Sequence, residues 1–459
     1  MRRTKIIATI GPSSSDKQVI KAMVKAGADA LRINFAHGDH RLFKRIVEWI
    51  RQIEEETGQY IPIIGDIQTK VIRVKNSKNI EILKGRRYII SKDEGIIVDE
   101  DGFYSNIDAG DHILLDDGLI EMKVEKIDEK KQRIYVTSLV NGVLKPNKKI
   151  IIKGKTGGGE LLTDKDIADL KFSIENQLEY IAISMVRGKE DLKKVKGIVE
   201  DLGGEPWIIS KIEHPQSLER LDEITKESDG LLVARGDLGQ HIDLEEIPVA
   251  QKEIIETGSR YGKITILATQ LLESMINSET PTRAEVTDLF NAVEEGVDAI
   301  MLTGETAIGR YPVETIRWAD RILSFVDSYL EGRRAIHYKP DFIETLYDKF
   351  ARGVIYISNI LEGRIVGFTK GGNTARRLSR YKPNRPLWIA TTRQYIARKI
   401  NILYGIKPIY TENHEDIMKI LIKTKDKLLE QGILQHGDIV IYVIGMRKET
   451  TDVMRFEII

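Results

Sequence analysis

Polar side chains follow short runs of Ile, Leu and Val at widely separated points of this chain. Arg32 and Asn34 end one run, and Asp66 ends another with Arg73 shortly after. Ser184 with Arg187, Lys211 with Glu213, and Arg235-Gly236-Asp237 follow three more. Thr269-Gln270 with Glu273, and Thr303 with Glu305, complete the pattern. Their types converge on one chemistry. Glu213 and Asp237 offer hard oxygen ligands for Mg²⁺ or Mn²⁺, which keep open positions for substrate oxygens. Arg32 and Arg73 suit phosphate. Lys211 and Glu213 are two residues apart, so an extended segment points both to one side. A fixed cation there neutralises an enolate or a phosphoryl group in flight. Gly236 lets backbone approach a small substrate, and Thr269 can relay a proton. Singly, each has an ordinary alternative. Lys211 and Glu213 could form a structural ion pair, and Thr269 and Thr303 could cap helices. Thr282 with Glu285 reads as a capping box alone. Gly154-Lys155-Thr156 imitates the end of a P-loop, but that motif's first glycine would fall on Lys149.

Eight apolar runs must hold these residues: Lys5 to Ile10, Ala30 to Asn34, Ile61 to Asp66, Glu179 to Ser184, Trp207 to Lys211, Asp229 to Ala234, Ile264 to Thr269 and Asp298 to Thr303. Segments of helical period, such as Asp191 to Asp201 and Pro248 to Tyr261, lie between neighbours. Eight βα units predict a (β/α)8 TIM barrel, whose active site sits where strands end. From 69 to 154 the texture changes to short alternating runs: Tyr88 to Ser91, Ile113 to Leu115, Ile120 to Val124 and Arg133 to Thr137. No helical period appears there, so this is expected to be an inserted antiparallel β lid. The triplet Gly157-Gly158-Gly159 reads as the hinge where it rejoins the barrel. After the linker Glu331-Gly332-Arg333-Arg334, a helix over Phe342 to Leu361 and strands at Ile365 to Thr369, Leu387 to Thr391 and Ile439 to Val443 predict an open α/β domain. The expected division is 1–68 with 155–330 for the barrel, 69–154 for the lid and 331–459 for the carboxyl-terminal domain.

The bulk composition narrows the partners. In 459 residues, Lys plus Arg is 70 and Asp plus Glu is 70. A neutral chain argues against nucleic acid or an anionic membrane as its main partner. No apolar run approaches membrane-spanning length. The absence of cysteine excludes disulfides, zinc thiolates and thiol catalysis, and fits a reducing cytoplasm.

Several segments resemble the signatures of the pyruvate kinase family. They are Ile208-Ile209-Ser210-Lys211-Ile212-Glu213, Val233-Ala234-Arg235-Gly236-Asp237-Leu238-Gly239 and Ala268-Thr269-Gln270-Leu271-Leu272-Glu273-Ser274-Met275. Leu31-Arg32-Ile33-Asn34-Phe35 with His37-Gly38, Pro281-Thr282-Arg283-Ala284-Glu285 and Leu302-Thr303-Gly304-Glu305-Thr306-Ala307 complete the set, in family order. The resemblance implies phosphoryl transfer from phosphoenolpyruvate to ADP, giving pyruvate and ATP, by a cytoplasmic homotetramer. It implies Arg32 on the substrate phosphate, Lys211 at the transition state, and Glu213 and Asp237 on Mg²⁺ or Mn²⁺. Gly236, Asp237 and Thr269, with Ser184, would contact the three-carbon acid. Asn34, His37 and Arg73 would face the nucleotide, with Lys149 added from the lid. A metal-dependent carbon–carbon lyase also holds an enolate on such a barrel, and a non-catalytic metabolite sensor is a further rival. A requirement for ADP separates the kinase from the lyase.

The chain departs from this family at the K⁺ site. Asn34 and Asp66 remain, but Ala36 and Ile67 stand where Ser and Thr oxygens are common. Val71 stands where K⁺-dependent members often have Glu, and Lys70 could supply a charge instead. Catalysis is therefore expected not to need K⁺. A last expectation concerns regulation. Thr369-Lys370-Gly371-Gly372-Asn373-Thr374 leaves a predicted strand and enters a helix, a natural phosphate cradle. The resemblance places an effector pocket at this turn, and Arg393 with Arg447-Lys448 could add positive charge for a sugar phosphate or nucleotide monophosphate.

Overall fold

The computed structural model describes residues 1–69, 72–116, 118–155, 161–331, 337–414, 416–445 and 450–459. Lys70, Val71, the Gly157-Gly158-Gly159 hinge, Thr156, linker residues Gly332-Arg333-Arg334 and Arg447-Lys448 lie outside the described residues.

Eight parallel strands close into a barrel: β1 (Lys5–Ile10), β2 (Ala30–Asn34), β3 (Ile63–Ile67), β4 (Tyr180–Ile183), β5 (Trp207–Ile212), β6 (Gly230–Ala234), β7 (Ile264–Ala268) and β8 (Ala299–Leu302). All eight expected runs are strands, with ends within two residues of the sequence reading. Their side chains alternate between two cores. Ile6, Leu31, Ile63 and Ile208 pack under the surrounding helices. Ile7, Ala30, Ile64 and Ile209 fill the barrel. Successive side chains of a strand face opposite sides, so two further steps from Ala30, Ile64 and Ile209 reach Arg32, Asp66 and Lys211. The polar layer at the rim is thus the continuation of the apolar interior.

The helices start and stop where local chemistry says they should. Thr282 caps Arg283–Glu295 in the expected capping box with Glu285, and Gly296 ends that helix at φ 94°. Between β3 and β4 the chain builds a six-stranded sheet and a two-stranded ribbon around a core of its own, including Ile90, Val124 and Val136. A short helix, Asp101–Tyr104, also occurs here, against expectation. Four residues are too few to show a helical period.

The carboxyl-terminal sheet has five strands: β9 (Arg364–Phe368), β10 (Leu387–Thr391), β11 (Ile406–Tyr410), β12 (Ile439–Ile444) and β13 (Val453–Ile458), in the order β11-β10-β9-β12-β13. Both edge strands escaped the sequence reading. β11 contains Pro408, which an edge strand tolerates and which hides the strand pattern. β13 is antiparallel, with three of its six residues exposed and none buried. The helix expected from Phe342 begins at Leu346, after the cap Thr345, because Phe342 packs into the core shared with the barrel. This domain closes the barrel's amino-terminal end. Asn401 donates to the carbonyls of Asp29 and Tyr60, Lys399 to that of Glu205, and Lys382 pairs with Asp298 at 2.7 Å. Each barrel partner lies a few residues or fewer before a strand. Among the described residues, no helix is long and apolar enough to cross a membrane.

Candidate active site

At the opposite rim, strand ends bring the charged residues together. Arg32 on β2 donates from Nε to Asp66 on β3 at 2.7 Å and from Nη1 to the Thr9 hydroxyl at 3.1 Å. Lys211 on β5 donates to the Ser184 hydroxyl at 2.8 Å and sits 2.9 Å from Glu213 and 3.5 Å from Asp66. Asp237 lies in the short helix Arg235–Leu238 after β6, and Lys149 of the inserted domain reaches it at 3.0 Å. Gly236 donates its N–H to the Thr269 hydroxyl oxygen at 2.8 Å. That hydroxyl keeps its own proton for donation.

A cavity of about 360 Å³ lies between barrel and insertion. His37, Arg73, Lys149, Ser184, Lys211, Glu213 and Asp237 line it. Arg32, Asn34, Asp66, Gly236 and Thr269 do not line it; Asp66 joins Arg32 to Lys211, and Gly236, next to Asp237, joins Thr269. The insertion also supplies Phe103, Lys148 and Ile150, and Lys155 follows it; none of these stood out in the sequence as site residues. Lys155, the P-loop decoy, is paired with Asp108 and Asp111 of the insertion, at 2.6 and 2.7 Å.

The electrostatics follow from burial and crowding. Burial opposes the charge on Lys211, yet Asp66, Glu213 and Asp237 outweigh it and hold the ammonium well above its ordinary pKa. Burial pushes the Glu213 carboxyl up; Lys211 opposes this, and the negative field of Asp237 adds to it. For Asp237, burial is outweighed by Lys149 and Lys211, and its pKa falls. Glu213 and Asp237 share one cavity wall, and the negative field of Asp237 opposes the charge on Glu213. Among the described residues no group of three or more His, Cys, Asp or Glu is placed to hold a metal. A pair suffices for Mg²⁺, which uses one or two carboxylates and keeps waters or substrate oxygens elsewhere.

The rim is built on strained backbone. Thr69, Met185, Thr269 and Gln270 follow strands β3, β4 and β7 with φ of 57, 54, 69 and 53°. A β-branched residue at positive φ is a genuine outlier, and such strain collects at functional sites. At Met185 it turns the backbone N–H onto Glu213 Oε2 at 2.6 Å, fixing the carboxylate that Lys211 also holds. No sequence pattern signals an N–H aimed in this way.

Other candidates serve local structure. Arg187 pairs with Asp191 and Arg235 with Asp288, each at 2.8 Å. Glu305 accepts the N–H groups of Leu272 and Thr303. Asn34 Oδ1 accepts the N–H of Ala36 at 3.1 Å. At the turn after β9, the Thr369 hydroxyl accepts the N–H of Gly372, whose φ is 101°. Thr374 meets Thr451 at 3.2 Å, and both threonines of the turn are buried. Gly371 faces open space, whereas Gly372 packs on Trp207. Arg393 is paired with Glu205. Lys370 and Asn373 complete the turn.

Known proteins resemble this chain in sequence and fold. Residues 1–316 match the family described as pyruvate kinase, barrel domain, and residues 348–456 that described as pyruvate kinase, alpha/beta domain. The chain is 35% identical over 472 residues to pyruvate kinase of Bacillus licheniformis, covering all of this chain and 81% of that protein. It is 32% identical to pyruvate kinase 2 of a Synechocystis species, covering 79% of that protein. The crystal structure of a pyruvate kinase from Cryptosporidium parvum superposes with a TM-score of 0.91 at 28% identity, covering all of this chain and 96% of that one. With the same barrel, the same carboxyl-terminal domain and full-length similarity, the chain belongs to the pyruvate kinase family.

Proposed function

We propose that this chain transfers the phosphoryl group of phosphoenolpyruvate to ADP, giving pyruvate and ATP, at the cavity walled by Lys211, Glu213 and Asp237. The observation that carries this reading is Lys211 itself: a buried ammonium held beside Ser184 and among three carboxylates. Glu213 and Asp237 would hold Mg²⁺ or Mn²⁺, which would supply Lewis-acid polarisation when bound. Lys211 and Arg32 offset charge on the migrating phosphoryl group, in a site where fixed cations act without reorganising. Ser184, Gly236 and Asp237 flank the three-carbon acid. The Thr269 hydroxyl passes a proton toward the enolate carbon through water. His37, Arg73 and Lys149, with Asn34, receive the nucleotide. Segment 69–154 acts as the lid on the barrel of 1–68 and 155–330.

Catalysis runs without K⁺. The two oxygen donors left from that site are both engaged, Asn34 with Ala36 and Asp66 with Arg32 and Lys211. The assembly is a cytoplasmic homotetramer. Its 331–459 domain receives a phosphorylated effector at the Thr369–Thr374 turn, where Gly371 leaves room for a ligand beside Lys370.

The deciding experiment measures pyruvate formed from phosphoenolpyruvate with and without ADP. Turnover that needs ADP and a divalent cation is expected. Pyruvate formation indifferent to ADP would assign a phosphatase that passes the phosphoryl group to water, and none at all a lyase acting on another substrate or a metabolite sensor.

A further inference from the structure

His37 lines the cavity from an exposed stretch between β2 and the helix His40–Thr57. Two attachments bracket it. On the amino side, the Phe35 carbonyl accepts a hydrogen bond from the Lys165 ammonium at 2.8 Å. On the carboxyl side, Nε2 of His40 meets Asp169 Oδ1 at 2.6 Å. Asp169 Oδ2 accepts from Lys165, also at 2.6 Å. One carboxylate therefore holds both ends of the segment that carries His37. It belongs to the helix Asp164–Glu175, which follows the inserted domain, and it is 1% exposed.

Packing seats the same contacts. Phe35 is fully buried, edge-on to Phe43 and Phe172 with ring centroids 5.2 and 5.8 Å away. The His40 ring stacks on Phe172 at 4.7 Å. Gly38, at φ 106°, lets the loop close onto Phe43, whose ring a Cβ there would meet at 2.9 Å. A buried carboxylate destabilises a fold unless it is paired, and Asp169 has two partners. A carboxylate only accepts, so Nε2 of His40 carries the proton. Asp169, Lys165 and His40 do not line the cavity themselves. A side chain on a mobile loop must be ordered when its ligand binds, and the lost freedom weakens affinity. A loop fixed beforehand escapes that loss.

We propose that Asp169 is a positioning residue for the nucleotide: through Lys165 and His40 it fixes the loop that presents His37. The proposal rests on the assignment of His37 to ADP. Ser184, Lys211, Gly236 and Thr269, which face the three-carbon acid, stand at the ends of other strands. Loosening the loop therefore weakens the use of ADP and spares that of phosphoenolpyruvate.

The test is steady-state kinetics, with kcat and a KM for each substrate. Wild type is compared with D169N, K165M with H40F, K165R with H40Q, and H37A, and thermal unfolding of each is recorded. D169N and the K165M, H40F pair are expected to raise the KM for ADP about tenfold, equivalent to ordering about one loop residue. Their kcat and their KM for phosphoenolpyruvate are expected within about twofold of wild type. K165R with H40Q keeps both donors and is expected within about threefold for ADP. D169N at wild-type KM for ADP overturns the proposal. So does a loss shared equally by both substrates, which marks a general disturbance of the fold, or a loss in K165R with H40Q equal to that in K165M with H40F. If H37A leaves the KM for ADP unchanged, the nucleotide assignment of His37 fails, and this proposal with it. Should D169N not fold, K165M with H40F carries the same comparison, since those side chains are 59% and 42% exposed.

Discussion

Lys211 concentrates the chemistry of the site in one ammonium. It stands two residues from Ile209 in the barrel interior, and three carboxylates hold its charge in place. Replacing it by Met keeps most of the volume and removes the cation. Lys211→Met is expected to lower kcat by on the order of 1000-fold or more, with substrate binding and fold largely intact. Steady-state kinetics with a binding titration check this, and near-normal turnover would remove Lys211 from the mechanism. A second prediction at this scale concerns K⁺. Assays in tetramethylammonium buffer are expected to run at full rate, since Ala36 and Ile67 bring no oxygen and the Asp66 carboxylate already faces two cations. A strong rise on adding K⁺ would refute it. These residues were legible because a strand repeats every two residues, so each polar end could be placed on a face. Met185 and His241 were not legible. One contributes a backbone N–H turned by a positive φ, and the other lines the cavity with both ring nitrogens buried and unpartnered. Neither property belongs to a residue type.

At the scale of elements, β5 links the two ends of the barrel. Its fifth residue is Lys211, and its first, Trp207, packs on Gly372 in the turn after β9. A Cβ on Gly372 would stand 3.0 Å from the Trp207 ring, and φ there is 101°. Gly372→Ala is therefore expected to cost more than about 1 kcal/mol, because alanine cannot adopt that conformation without strain. The push on Trp207 is also expected to alter any response to a bound effector. Urea unfolding, and titration with sugar phosphates and nucleotide monophosphates, measure the two effects. Unchanged stability would show that the turn adapts freely. A wild type that neither binds nor responds to any of these ligands would leave the turn structural only. The strands of the barrel were legible because each is a nearly continuous apolar run buried on both faces. The edge strands β11 and β13 were not, since Pro408 interrupts one and exposed residues fill the other. Edge position is a property of the sheet and cannot be read within the strand.

The whole molecule depends on how its parts are joined. Lys5 is buried where barrel meets carboxyl-terminal domain, donating to the Ile406 carbonyl at 2.8 Å. Burial pushes its pKa down to about 7, with Asp29 opposing. In the unfolded chain the value is ~10.4, so between these limits the unfolded state binds more protons and this group makes stability rise with pH. Below about 7 both states are protonated and the burial cost is fully present. The stability of wild type relative to Lys5→Met is thus expected to improve from pH 7 toward pH 10, as measured by denaturant unfolding; a flat difference would refute the buried charge. Assembly is the last question at this scale. Among the described residues β13 ends the sheet, and on it Phe456 and Ile458 are 59% and 70% exposed. Tyr356 and Ile360 of the helix Leu346–Ile360 are similarly exposed in the same domain, as are Leu244 and Val249 on the barrel. An apolar open edge invites pairing with another chain, and a second copy related by a twofold axis covers the same patch on both partners. Two such surfaces, one on each domain, would close a tetramer. Phe456→Lys combined with Ile458→Lys puts like charges on both sides of the carboxyl-terminal contact. This variant is expected to run as a smaller assembly than wild type in light scattering coupled to size exclusion, with its thermal unfolding still cooperative. A variant of unchanged mass, or a wild type that is a single chain, would place the assembly elsewhere or nowhere.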